Sequence, residues 1–208
     1  MRPLKPSVKA SLEAAATRYH ASIGEAAEYL ASRGISPATA ERHRLGVVVD
    51  PLLGHERFAG RLSIPNINGI GDVVGMKFRA LHGEEPKYDG LSLEARLFHT
   101  RAIPTAGEWI CLTEGELDCI ILDQCGLPAV GVPGANGWKD HYARVFAGFE
   151  TVYVFPDPDA AGTKMGKDIA KRLESALIVN MAEDVNDTYV HGGKDAVLDA
   201  MREAGWSE

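Results

Sequence analysis

The sequence predicts an α/β chain in two parts. A parallel sheet flanked by helices occupies residues 108–208, and a smaller α+β part with helices and a mostly antiparallel sheet occupies residues 1–107. Three observations carry that prediction. After residue 108 apolar runs alternate with helical segments, the pattern of parallel strands joined by crossover helices. Between Gly46 and about Thr105 the apolar runs are short, rich in Val, Ile and Phe, and broken by Gly, Pro and Asn, which suits hairpins. The first third carries Ala, Leu, Tyr and Ile at helical spacing.

Taken in order, residues 7–33 read as helical and Gly34 as the stop. Ser36-Pro37 opens a short second helix over ATAERHRL, because Ser caps well and Pro fits a first turn. FAGRLSIPNI, GDVVGMKFRAL and EARLFH read as strands, with Asn68-Gly69 and Gly71-Asp72 in the turn between the first two. IPTAGEW (103–109) reads as a linker or border. Thereafter WICLT, PAVGVPG, ETVYVFPD and ALIVNM read as strands. GELDCIILDQCG, GWKDHYARVFAG, AGTKMGKDIAKRLES and KDAVLDAMREAG read as the helices that follow them.

Composition narrows the function classes. With 208 residues, 45% hydrophobic and 25% charged, the chain is neither collagen-like, disordered nor a disulfide scaffold. No run of 18 apolar residues offers a transmembrane helix, and MRPLKPSVKASLEAAA has no apolar signal segment, so no membrane partner and a cytoplasmic location are expected. Cys111, Cys119 and Cys125 form no Cys-x-x-Cys pair, and the seven histidines show no ligand spacing, so no zinc is expected. The cysteines read as core residues. The net charge of −7 is unevenly spread: residues 1–108 hold 14 basic against 12 acidic side chains, residues 109–208 hold 8 against 17. The second half would repel a polyanion unless cations intervene.

The acids of that half sit in a pattern. Glu114 follows one apolar strand, Asp157-Pro158-Asp159 another, and Glu183-Asp184-Val185-Asn186-Asp187 a third. Ligands gather beyond the carboxyl ends of parallel strands, so three acidic clusters there can converge on one site. Carboxylates that close repel one another unless cations neutralise them. All-oxygen ligation suits Mg²⁺ or Mn²⁺, ions that commonly accompany phosphate substrates. A lone acid after a strand is often only a helix cap, and Asp118 alone fits that reading.

Glu114-Gly115-Glu116-Leu117-Asp118 followed by Asp157-Pro158-Asp159-Ala160-Ala161-Gly162 resembles the Toprim signature of topoisomerases, bacterial-type primases and several nucleases. The resemblance implies that Glu114 coordinates metal or acts as general acid/base, and that Asp157 and Asp159 bind one or two divalent ions. EDVNDTYVHGG resembles the primase segment written E-D-P-D, with one extra residue between the two Asp. On that basis Asp184 and Asp187 support a further ion or the triphosphate. VGVPGANGW (130–138) resembles a family loop that approaches a phosphate, although a tight turn explains it nearly as well.

The first half selects among these branches. AAEYLASRGISPATAERHRLG and the segment from Phe58 to Gly90 resemble the polymerase core of DnaG-type primases through Gly60-Arg61-Leu62-Ser63-Ile64-Pro65, Gly75-Met76-Lys77-Phe78-Arg79 and Pro86-Lys87-Tyr88. Lys77 and Arg79 at i and i+2 share one strand face, with Arg61 on a neighbouring strand and Lys87-Tyr88 after the next turn. Such a basic face suits phosphates and a nucleic-acid strand. The resemblance implies a phage-encoded primase core that uses two or more Mg²⁺ or Mn²⁺ ions to join ribonucleoside triphosphates on single-stranded DNA. The sequence shows neither the zinc-binding module nor the helicase-binding domain usual in that family, so a separate zinc module or replicative helicase is an expected partner. A Toprim nuclease and a non-catalytic single-strand-binding subunit are the alternatives.

Overall fold

Two four-stranded sheets, one antiparallel and one parallel, organise the computed structural model, which describes residues 3–134 and 137–207. They belong to separate units, Met1–Ala95 and Arg96–Glu208.

In the first unit α1 (Pro6–His20) starts with proline in its first turn and buries Leu12, Ala15, Ala16 and Tyr19, a single helical stripe. The expected continuous helix over 7–33 breaks after His20. Ile23–Ala26 forms a 3-10 turn and α2 covers Ala27–Ser32. Gly24 and the β-branched Ile23 make this the weakest helical stretch. The second helix is also shorter than expected: α3 spans Pro37–Arg42, capped by Ser36 Oγ accepting from the Thr39 N–H at 3.2 Å.

The antiparallel sheet runs in order β1 (Gly46–Val47), β2 (Leu62–Ile67), β3 (Val73–Arg79) and β4 (Tyr88–Gly90). The β2–β3 turn lies where expected, with Asn68 Oδ1 accepting from the N–H groups of Ile70 and Asp72. Gly46 has no alternative in β1, since a Cβ there would lie 2.3 Å from the Tyr19 carbonyl carbon. Phe58 and Phe78 stack with centroids 3.8 Å apart and join Leu12, Ala16 and Tyr19 in one core. EARLFH, expected as a strand, is not one. Among the described residues its one strand-type bridge joins Phe98 to Gly131, and the left-handed backbone of His99 (φ 58) ends the extension.

The second unit alternates as predicted. β5 (Trp109–Thr113), α4 (Glu116–Gln124), β6 (Ala129–Gly131), α5 (Ala143–Phe146), β7 (Thr151–Phe155), α6 (Ala160–Ala170), β8 (Ala176–Ile178) and α7 (Val185–Glu203) follow in sequence. The strands are parallel in order β6-β5-β7-β8. Ile110, Leu112, Val152 and Val154 pack with Met165 and Ile169 of α6, while Cys111, Tyr153 and Phe155 are buried at the alternating positions. Burial on both faces is what a parallel sheet requires.

Three expectations change in this unit. GWKDHYARVFAG is not one helix but a 3-10 turn at Asp140–Tyr142 leading into the short α5. The border segment 103–109 divides between a 3-10 turn, Thr100–Thr105, and the start of β5. The last helix begins nine residues before Lys194, at Val185, and kinks at Gly193, whose φ of 68° and ψ of −164° suit glycine alone. Ala135 and Asn136 of the glycine-rich loop lie outside the described residues.

Candidate active site

The parallel register sets the strand ends level. Thr113 lies beside both Gly131 and Phe155, and Val154 beside Ile178. Glu114 therefore leaves the sheet one residue beyond β5, and Asp157 two residues beyond the adjacent β7. Both are half-buried. Asp184 follows β8 as the N-cap of α7, its Oδ1 accepting from the Asp187 N–H at 2.7 Å. Asp159 caps α6 in the same way, its Oδ1 accepting from the Gly162 N–H at 2.7 Å. The cap reading thus holds for Asp159 and Asp184, but each cap bond uses one carboxylate oxygen and leaves the other for a ligand.

Asp118 shows that the clusters meet. It is not the cap of α4; Gly115 holds that position and Asp118 lies three residues inside. The residue is 8% exposed, and its carboxylate accepts from the Asn186 N–H at 3.0 Å, tying the first turn of α4 to that of α7. Burial foremost, then the charges of Asp184 and Asp157, push Asp118 up to about 7, against the lowering effect of the Asn186 N–H. The charged side chains that act on Asp118 are both carboxylates, one beyond β7 and one beyond β8. A buried acid pressed by two further carboxylates fits a hard cation well, and the donors are all oxygens.

Two glycines make this crowding possible. A Cβ on Gly115 would lie 2.2 Å from Asp118 Oδ2. A Cβ on Gly162 would lie 2.4 Å from the carbonyl oxygen and 2.6 Å from the nitrogen of Asp157, so the Asp157 turn rests directly on α6. Gly162→Ala is expected to displace that turn and cost about 1–3 kcal/mol, as overpacking does. Urea denaturation checks the stability, and calorimetric titration with Mn²⁺ checks the accompanying loss of affinity.

The sequence passes over Asp118 as a possible cap and over Asn186 entirely. The signal for Asp118 lies in its surroundings: all seven residues from Glu116 to Leu122 are buried, so an acid there is not on a solvated helix face. Nothing in the local sequence marks Asn186, which is 3% exposed and contributes through its backbone N–H.

The basic residues lie in the first unit. Arg79 and Tyr88 pair across β3 and β4, and Lys77 pairs with Gly90 on the same face. Arg79 is buried; its Nη1 donates to the Tyr88 hydroxyl, and its guanidinium lies 4.9 Å from the Tyr88 ring centroid and 5.7 Å from that of Tyr29. Lys77 Nζ lies 5.8 Å from the Tyr88 centroid. Arg61 lies one residue before β2 and is buried, with Nη1 donating to the Pro86 carbonyl at 2.8 Å. Lys87 is exposed. The structure thus brings Lys77, Arg79 and Tyr88 together, but it commits both arginines to the unit's own packing.

Known proteins share this architecture. No protein-family model matches the chain. The Gene 57 protein of Mycobacterium phage D29 is 38% identical over 132 residues, which span 62% of this chain and 87% of that protein. A DNA primase of Thermotoga maritima is 34% identical over 133 residues, 59% of this chain but 23% of the primase. The chain therefore spans about a quarter of that primase. Among solved structures, the DnaG primase catalytic domain bound to single-stranded DNA superposes with a TM-score of 0.77 at 20% identity, over 94% of this chain and 78% of that one.

Proposed function

We propose that this chain, which belongs to the family of the phage D29 Gene 57 protein and shares its fold with the DnaG primase catalytic domain, synthesises short RNA primers on single-stranded DNA. The observation that carries the reading is the 3.0 Å bond from the Asn186 N–H to buried Asp118, which fastens the Asp184-capped start of α7 to the acid-bearing first turn of α4.

Glu114, Asp157 and Asp159 would hold two divalent ions, Mg²⁺ or Mn²⁺, with Asp184 and Asp187 supporting a further ion or the triphosphate. When bound, such ions supply charge neutralisation at the transferring phosphate and activation of the attacking hydroxyl. The chain's own residues do the rest. The cap bonds of Asp159 and Asp184 fix those carboxylates on helix ends. The bond from Asn186 to Asp118 locks α7 against α4 and keeps the acids gathered. Lys77 and Lys87 would meet phosphates of the strand or triphosphate, and Arg79 would hold Tyr88 in place for them.

That division of labour separates the basic residues experimentally. Lys77→Ala and Lys87→Ala are each expected to lower the log–log salt slope of single-stranded DNA binding by roughly 0.7, with little change in stability. Arg79→Ala is expected to cost about 2 kcal/mol of stability, since it removes a buried hydrogen bond and two ring contacts. Fluorescence anisotropy over a salt series and urea denaturation read the two effects.

With a net charge of −7, template capture should be weak, and a tethering zinc-module or helicase partner would raise the effective template concentration. The proposal is tested by incubating the chain with labelled ribonucleoside triphosphates, Mn²⁺ and single-stranded DNA. Short ribonucleotide products that require both metal and template support it. Shortened template without synthesis would indicate a nuclease, and binding with neither reaction an accessory subunit.

A further inference from the structure

The first unit holds a second feature, independent of the acidic site and of the primase reading. A pocket of about 280 Å³ opens between α1 and the segment after β4. Val8 and Leu12 of α1 and Leu91 and Leu93 form its apolar walls, Ser7 and Ser11 stand at its exposed rim, and His55 completes the lining. None of the lining residues carries a full charge at neutral pH.

His55 gives the pocket a polar handle. The residue is 8% exposed, and its ring packs between Tyr19, Phe58 and Phe78. The Tyr19 hydroxyl accepts from the Leu52 N–H at 3.1 Å and meets His55 Nδ1 at 2.7 Å. Nδ1 is the acceptor available to the single hydroxyl proton among the described residues, so Tyr19 donates to it. Burial lowers the His55 pKa and keeps the ring neutral. Its proton then sits on Nε2, which has no partner among the described residues and is not sealed from solvent.

We propose that this pocket binds one uncharged heteroaromatic ring of nucleobase size, with apolar faces against the leucines and valine and an in-plane acceptor toward His55 Nε2–H. A phosphate or carboxylate would find no compensating charge among the lining residues. A purely hydrocarbon group would leave the Nε2–H without an acceptor. Flat heterocycles meet both conditions, either as free nucleosides or as bases of a single strand.

The test titrates the isotope-labelled full chain with adenosine, thymidine, a short deoxyadenosine oligomer and indole, following imidazole ¹⁵N and Leu/Val methyl resonances. Indole matches a base in size but offers no in-plane acceptor. His55 is expected to show the Nε2–H tautomer, and nucleosides to shift His55, Leu91 and Leu93 together, with indole at least about tenfold weaker. A stronger response to the oligomer would identify strand bases as the source; a response to nucleosides alone, free bases. Ser11→Trp, a change at an exposed rim position that spares the core, should abolish the shifts. An Nδ1–H tautomer, equal binding of indole, shifts that persist in Ser11→Trp, or no response up to about 20 mM ligand would each overturn the proposal.

Discussion

Asp157→Asn is expected to reduce template-directed ribonucleotide incorporation by about a thousandfold, the scale reached when a group stabilising developing charge is lost. Asparagine preserves the volume and keeps an oxygen, so the fold should survive. What it removes is half the anionic pull beyond β7, where Asp157 lies half-buried and Asp159 is already engaged at the start of α6. Mn²⁺ affinity should fall in parallel, measured by calorimetry. Circular dichroism should be unchanged, and the melting temperature without metal should be equal or higher, because a repelling charge has gone. Wild-type incorporation by Asp157→Asn would remove Asp157 from the site.

Asp118→Asn should have the largest effect on stability, and the effect should depend on pH. The folded value of about 7 lies above the ordinary 3.8. For a raised acid, the favourable contribution is complete below about 4 and is lost as pH rises through 7. Above pH 7 the wild type carries a penalty bounded by roughly 4 kcal/mol, three pKa steps at 1.36 kcal/mol each. Asparagine can still accept from the Asn186 N–H but carries no charge. The variant should therefore be the more stable protein at pH 8 without metal, and nearly equal to wild type at pH 4. Urea denaturation across that range reads the difference. A gain in stability that is the same at both pH values would show that folding does not raise the Asp118 pKa.

Much of the site was legible because parallel α/β architecture places chemistry at fixed points of the sequence. An acid between an apolar strand and the helix that follows it lies beyond the sheet's carboxyl edge, as Glu114, Asp157 and Asp184 do. Asp118 was less legible because its meaning depends on α7, 68 residues away, and on burial of α4 on every side. Local pattern also failed where long-range packing decided the outcome. EARLFH alternates like a strand, yet among the described residues it forms a single bridge at Phe98 and no ladder, and Leu97 enters the second unit's core. The arginines mark a different limit. Strand spacing put Arg79 correctly on one face with Lys77, but spacing does not reveal that tyrosine rings flank its guanidinium.

The central claim is that acids beyond three parallel strands share one divalent-ion site. Iron-directed cleavage tests it most directly. Fe²⁺ substitutes for Mg²⁺ at all-oxygen sites, and with ascorbate and peroxide it cuts the backbone nearby. Sizing the fragments should show cuts clustered at residues 113–118, 156–160 and 183–187 together, suppressed by excess Mg²⁺ and absent in Asp157→Asn. Cuts at one of these segments without the others, or cleavage that Mg²⁺ does not compete away, would contradict a shared site.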